Sequence, residues 1–464
     1  MLKFDEHTRT LQQDEHLFEL HEPESPEYYD DVFPQGRVPL IVFNHRHVPM
    51  VPAPEVWITD TTFRDGQQAM PPLRPKQIVD LYELMHQLGG EKGLIRQSEF
   101  FLYQQRDRQA VEECLALGYR YPEVTAWIRA HPGDFQLVKD MGLQETGILT
   151  SVSDYHIFHK WPGSNRRQAI DRYLGIVKDA LSADIRCRCH FEDLTRADFY
   201  GFVVPFAIEL RKLAEETGMP IKIRACDTMG YGVPYPGASL PRSVPGIIYG
   251  LDHHAGIPSE WLEWHGHNDF HKALVNSATA WLYGCAGVNA TLLGVGERTG
   301  NAPIEALVFE YLALRGDDPT VNTRVISEIA RYFRKEIGYE IPPQQPFVGS
   351  RFNTTLAGIH ADALAKDNRI YTIFDTEALL GVPGDIRITD KSGRAGVAHW
   401  INLNLELEGD DRIDKNHPGV AAMFTKITEQ YENRRVTIMS DEEMVELLAE
   451  HIPELAERAR ALLS

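Results

Sequence analysis

From Val56 onward the chain alternates short β-like runs with longer stretches that carry an apolar stripe at helical spacing. Strands are predicted at 56–60, 94–99, 123–128, 146–151, 185–191, 221–227, 262–267 and 287–293. Between them, Ile78, Leu81, Tyr82, Met85 and Leu88 keep the i, i+3, i+4, i+7 spacing of one helical face, and 166–181, 197–217, 272–284 and 302–314 behave similarly. Eight strand–helix units in about 260 residues predict an α/β chain closed into a (β/α)8 TIM barrel, whose usual size is about 250 residues. An open doubly wound sheet is the alternative, but no glycine-rich phosphate loop follows the first strand. The expected organisation is an acidic, proline-punctuated extension over 1–52, a barrel over 53–317 and a mainly helical subdomain over 318–464. The extension is read as either a solvated arm or a strap over a neighbouring subunit.

Composition narrows the function. With 464 residues and 43% hydrophobic content, the chain can bury one large core and a second unit. A formal charge of -20 argues against nucleic acid or an anionic membrane as partner. An anionic substrate must therefore be held by local arginines or a metal. Five scattered cysteines form no disulfide framework, so reduced thiols are expected, with Cys187 and Cys189 lining a buried strand rather than binding a soft metal. The first residues lack a signal peptide's pattern, and no apolar run approaches the ~20 residues that span a bilayer. A soluble, cytoplasmic protein is the expectation.

A barrel makes a test possible, because barrels carry their chemistry at the C-terminal ends of the strands. Reactive residues collect there. Strand one exits into Arg64-Asp65, strand two into Glu99 and strand four into Ser151 to His156. Strand five carries Arg188, His190 and Glu192 at one parity, strand six ends in Asp227-Thr228, and strand eight runs into Gly294 to Asn301. Strand seven ends in His265-Gly266-His267-Asn268-Asp269, where residues two apart share a face and both imidazoles can aim at one point. A His-x-His pair alone is compatible with an ordinary strand. Combined with a carboxylate from the Asp60–Gln68 segment, it makes a facial metal site with open positions.

These segments resemble a family of metal-dependent barrel enzymes that includes isopropylmalate synthase, homocitrate synthase and the hydroxymethylglutaryl-CoA lyases. The resemblance covers about 55 to 400. It is carried by Asp60-Thr61-Thr62-Phe63-Arg64-Asp65-Gly66-Gln67-Gln68, by the His265 segment and by Gly296-Glu297-Arg298-Thr299-Gly300-Asn301. Pro346 to Gly349, Ala357 to His360 and Ser392-Gly393-Arg394 look like the linker segments of the synthases. Lyases of the family carry a cysteine in the loop after strand eight, and Gly294-Val295-Gly296-Glu297 has none, which favours synthesis. Among synthases, the contexts 93–101, 189–196 and 226–234 are most similar to Re-citrate synthases, which condense acetyl-CoA with oxaloacetate. After Arg394 about seventy residues remain, too few for the regulatory domain of isopropylmalate synthases, so no leucine-type allosteric site is expected.

The resemblance implies a Claisen condensation of acetyl-CoA with a 2-oxo dicarboxylic acid. It implies a divalent metal on Asp65, His265 and His267, with Asn301 as a further ligand or as a donor beside them. Manganese is the first expectation, and Mg, Co and Zn stay open. Arg64 would stabilise charge on the reacting oxygen, or else simply pair with Asp65 or Glu99. Gln68, Arg188, His190 and Thr228 would bind substrate, Thr228 having a helix N-cap as its alternative. Arg96, Arg188 and His190 offer charge where a branched alkyl group would want an apolar wall. His360 would be the general base or acid, supported by Tyr371 and Glu297 and delivered across a homodimer that exchanges C-terminal segments. Homocitrate synthase, isopropylmalate synthase, a carbon–carbon lyase and a silent binding barrel remain as alternatives.

Overall fold

A computed structural model describes residues 2–5, 10–13, 18–364 and 366–461. The chain divides into two compact units, one ending at Tyr339 and one beginning at Glu340. The first contains eight parallel strands: β1 (Trp57–Asp60), β2 (Ile95–Phe100), β3 (Glu123–Arg129), β4 (Glu145–Ser151), β5 (Arg186–Glu192), β6 (Ile221–Asp227), β7 (Leu262–Gly266) and β8 (Gly287–Ala290). They close into a barrel, with β8 paired to both β7 and β1. Each strand lies within a few residues of its expected place. The largest difference is at β8, expected to reach 293, where the chain turns at Leu292–Gly294 with Leu293 at φ 57°.

The alternation along these strands has an unusual sense. Apolar residues such as Ile58, Cys187, Cys189, Phe191, Ile223 and Trp264 are buried at the outward parity, as expected for strands covered by helices. The inward parity is polar. Glu145 meets Lys222 at 2.9 Å and Arg188 at 3.3 Å, and Glu263 meets Arg224 at 2.9 Å and Arg188 at 3.4 Å. Barrels are usually filled by branched apolar side chains. Here the lower layers are filled by paired charges, which strongly disfavours removing any one partner.

The helices between the strands include those the stripes predict, at Pro75–Gly89, Arg166–Ser182, Ala273–Leu282 and Ile304–Arg315. The expected 197–217 helix is split: a wide turn over Phe199–Val203 precedes a regular helix over Val204–Thr217. Helices at Gln105–Ala116, Pro132–Asp140 and Val244–Tyr249 fill the remaining outer positions. The helix Val325–Tyr332, beyond residue 317, packs on Pro75–Gly89 within the first unit.

The extension from residue 18 is not a solvated arm. It runs along its own barrel. Arg166, 1% exposed, gathers Glu27 at 3.2 Å, Asp154 at 2.9 Å and Asp198 at 3.0 Å, and donates to the His21 carbonyl at 2.9 Å. Further on, Val32, Phe33 and Val42 form a small core against Tyr231, on which the Phe33 ring stacks. The extension thereby braces the loop that follows β6.

The second unit is mainly helical, with one short parallel bridge between Thr354–Thr355 and Asp385–Ile386. Helices Gly393–Asn404, Pro418–Glu432 and Asp441–His451 enclose Val397, Trp400, Ile401, Val420, Met423, Ile427 and Leu448. Ser440 and Glu443 cap the last of these reciprocally. No described helix is long and apolar enough to cross a membrane.

Candidate metal centre at the barrel mouth

Asp65, His265 and His267 converge at the C-terminal end of the barrel. All three are buried, and one ligand atom from each lies within 4.8 Å of the others. His265 belongs to β7, and His267 follows the strand end, its N–H bonded to the Asp227 carbonyl at 3.2 Å. Asp65 arrives from the turn after β1, where its N–H and that of Gly66 both reach back to the Thr61 carbonyl.

The histidine tautomer follows from a chain of hydrogen bonds. The Asn289 side-chain amide donates to Thr59 Oγ1 at 2.9 Å, which turns its Oδ1 toward His265 Nδ1, 2.8 Å away. His265 therefore carries its proton on Nδ1 and presents the Nε2 lone pair to the site, the arrangement a ligating histidine needs. That lone pair lies 3.4 Å from His267 Nε2. Burial, and next the neighbouring His267, push His265 down to about 3, and burial also lowers His267. Both rings are neutral at pH 7. Burial opposes ionisation of Asp65, but the Arg64 guanidinium, with the hydrogen bond from Asn301, outweighs it and holds the carboxyl below its ordinary range. Two buried neutral imidazoles and a carboxylate, drawn within 4.8 Å of one another, fit a divalent cation.

The surroundings reinforce this fit. The Asn301 amide N–H donates to Asp65 Oδ2 and to the Val295 carbonyl, while its Oδ1 is buried without a hydrogen-bond partner among the described residues. At Gly296 a Cβ would stand 2.1 Å from the Asn301 amide nitrogen and 2.8 Å from Asp65 Oδ2, so only glycine fits beside the cradle. Gly300, at φ +87°, would place a Cβ 2.0 Å from the Gly294 carbonyl oxygen.

Arg64 makes both ion pairs considered for it. Its Nη1 is 3.2 Å from Asp65 and its Nε 3.1 Å from Glu99, and its guanidinium lies 5.2 Å from the Trp127 ring centre. Glu99 is the hub beneath. It also meets Arg188 at 3.0 Å, Arg224 at 3.0 Å and His190 at 3.3 Å. Burial opposes its ionisation, but the Arg224 and Arg64 guanidinium groups hold it well below the carboxylate range. His190 is driven well below its ordinary value by burial and by Arg224, and is neutral.

The remaining candidates fall in several places. Arg188 is fully buried, its guanidinium engaged by Gln97, Glu99, Glu145 and Thr125. Arg96 lies at the opposite end of the barrel, bonded to Glu55 at 2.6 Å, and so provides no charge at the mouth. The Thr228 hydroxyl accepts the Asp193 N–H at 2.8 Å, leaving its own proton to donate. It caps no helix, since the next helix in the chain starts at Val244 and is capped by Ser243. Gln68 and Glu297 are exposed at the mouth-side turns. His360 and Tyr371 belong to the second unit, their rings 4.1 Å apart.

Asn289 and Trp127 stand in no motif of the sequence, and Gly296 stands in one only as the start of the 296–301 segment, with no role assigned to it. A signal existed for the first: Asn289 is a polar residue at the inward parity of a run otherwise read as apolar sheet.

The HMGL-like family model matches residues 55–332. Similar proteins include a Citrate (Re)-synthase of Syntrophus aciditrophicus, 56% identical over 97% of this chain and 71% of that one. A Citrate (Re)-synthase of Clostridium kluyveri is 49% identical over 95% and 97%. A 2-phosphinomethylmalate synthase of Streptomyces hygroscopicus is 36% identical over 91% and 96%. Among solved structures, an HMG-CoA lyase of Bacillus subtilis shares the fold, with a TM-score of 0.50 and 18% identity over 63% of this chain and 97% of that one. With its barrel, its cradle and these relatives in agreement, the chain belongs to the HMGL-like family.

Proposed function

We propose that this protein condenses acetyl-CoA with oxaloacetate to form citrate, as a Re-citrate synthase. The observation that carries the reading is the cradle of Asp65, His265 and His267 with Arg64 3.2 Å from Asp65. It sits in a chain 56% and 49% identical to proteins named Citrate (Re)-synthase. Asp65, His265 and His267 would hold a divalent ion, manganese in our reading, which would supply Lewis acidity toward the ketone of a 2-oxo acid.

The chain's own residues supply the rest. Arg64, partly exposed and braced by Glu99, faces the oxygen on which charge grows. The Thr228 O–H and the Gln68 amide serve the substrate carboxylate, and Asn301 holds Asp65 in place. Arg188 and His190 act from below, by fixing Glu99 and through it Arg64. His360, with Tyr371 against its ring and Glu297 in support, exchanges the proton at the thioester methyl carbon. We assign His360 to the site of a second copy in a homodimer. Mixing inactive His360→Ala with inactive Asp65→Ala under subunit exchange would then restore activity, and a mixture that exchanges yet stays inactive rejects the assignment.

The reaction is tested by thiol release from acetyl-CoA with a panel of 2-oxo acids, before chelation, after it, and with Mn, Mg, Co or Zn restored. Oxaloacetate is expected to give the highest kcat/KM, ahead of 2-oxoglutarate and far ahead of 2-oxoisovalerate. Labelled acetyl-CoA should enter the arm of citrate opposite to that made by the common citrate synthase. Preference for 2-oxoglutarate would reassign the chain to homocitrate synthesis. Activity indifferent to chelation would reject the mechanism.

A further inference from the structure

Trp127 lies on β3 at the same parity as Thr125, whose hydroxyl is 3.3 Å from Arg188 inside the barrel. Trp127 therefore faces inward, two residues nearer the mouth. Its ring is half-buried and sits edge-on to Phe101, with the Arg64 guanidinium 5.2 Å from its centre. One guanidinium thus separates the ring from Asp65. Its indole Nε1 is buried and has no hydrogen-bond partner among the described residues.

A buried indole N–H normally finds an acceptor. The neighbouring acceptors are already committed. Glu99 is surrounded by Arg64, Arg188, Arg224 and His190, and Asp65 by Arg64 and Asn301. The cationic groups deeper in the barrel, Arg188 and Arg224, are 0% exposed and ion-paired with Glu99 and Glu263, although Arg188 Nε and Arg224 Nε and Nη2 make no hydrogen bond among the described residues. On the β3–β4 side the next residues of this parity toward the mouth are Leu149, half-buried and apolar, and Arg129, exposed and ion-paired with Asp134 at 2.7 Å. That wall offers a rigid aromatic plane, an aliphatic neighbour and one unsatisfied donor beside a cation.

We propose that Trp127 is the residue that selects the acid: its indole N–H, together with Arg64, receives the distal carboxylate of the 2-oxo dicarboxylate, and its ring limits the length of chain that fits. The inference rests on the proposed condensation and adds to it the group that distinguishes a dicarboxylate from a 2-oxo acid of the same carbon count. A planar ring fixed by Phe101 and Arg64 holds its donor in one place, so a carboxylate one methylene further out would collide or miss.

The test compares oxaloacetate with 2-oxobutanoate, which has the same four carbons and no distal carboxylate. Metal-loaded wild type, Trp127→Phe and Trp127→Gln are titrated with each acid by calorimetry, and kcat/KM is measured in parallel. Trp127→Phe keeps an aromatic ring and loses the N–H. Oxaloacetate should bind about 10- to 100-fold more weakly, the range for a hydrogen bond to a charged group, while 2-oxobutanoate binding changes less than about twofold. Trp127→Gln, which restores an N–H donor, should recover part of the preference. Equal losses for both acids, or an unchanged ratio, overturn the proposal, the former by making Trp127 only a support for Arg64. A wild type that neither binds oxaloacetate nor releases CoA with it would instead overturn the condensation reading.

Discussion

Replacing Asn289 by leucine tests how the cradle is built. The substitution keeps the branched shape of the side chain and removes the acceptor of the His265 Nδ1–H, a contact of 2.8 Å between groups exposed 0% and 4%. Without it the imidazole can carry its proton on Nε2, where the metal must bind, and a buried N–H is left without a partner. Partners of this kind are typically worth 10- to 100-fold in metal affinity, about 1.4–2.7 kcal/mol. That agrees with the ~1–3 kcal/mol cost of stranding a buried polar group. Competition against a chromogenic chelator, with metal content measured after dialysis into buffered metal, reads the affinity directly. Thermal melting of the metal-free protein separates this loss from general damage. Asn289→Asp should retain most of the affinity, because a carboxylate still accepts from Nδ1 although it cannot donate to Thr59. An Asn289→Leu protein that binds metal within twofold of wild type would refute the tautomer argument.

Arg64→Ala should lower kcat by about 100- to 1,000-fold with little change in KM, because the charge it faces grows in the transition state. Raised KM at unchanged kcat would reduce Arg64 to a binding group. Gly296→Ala should abolish metal retention, since its Cβ would intrude 2.1 Å from the Asn301 amide nitrogen. Wild-type metal content in that variant contradicts the geometry. Asp60 is carried by burial from 3.8 to about 6 despite bonds from Thr62 and Ser98. Below about pH 4 it is protonated in both states. As pH rises toward 6 the unfolded chain ionises first, so up to about 3 kcal/mol of stability is lost by the folded state and stays lost above 6. Asp60→Asn should escape this loss, so urea melts of the two proteins should diverge in the variant's favour between pH 4 and 6; parallel stabilities across that range would reject the account.

What could be read directly from the chain was the periodic part. Alternation at β5, with Cys187, Cys189 and Phe191 on one face and Arg188, His190 and Glu192 on the other, places the strand and its inward side whatever its neighbours. A spacing of two put His265 and His267 on one face, and short polar turns after strands put Arg64 and Asp65 at an exit. These are local consequences of side-chain geometry, which travels with the sequence. Depth within the barrel was not local. Arg96, Arg188 and Arg64 are all arginines on or just after inner strands, yet one pairs with Glu55 at the far end, one is locked in the middle and one reaches the metal cradle.

That sorting depends on strand register and on which carboxylate each guanidinium meets across the barrel, through contacts between residues 35 to 125 positions apart. Asn289 orients His265 only because β8 pairs with both β7 and β1. Gly296 earns its place only because Asn301 and Asp65 meet above it. The extension's role was likewise undecided in sequence, since its acidic composition suits water as well as it suits Arg166. Partners were settled by closure of the sheet, because burial leaves a charge no alternative but the group that folding brings against it.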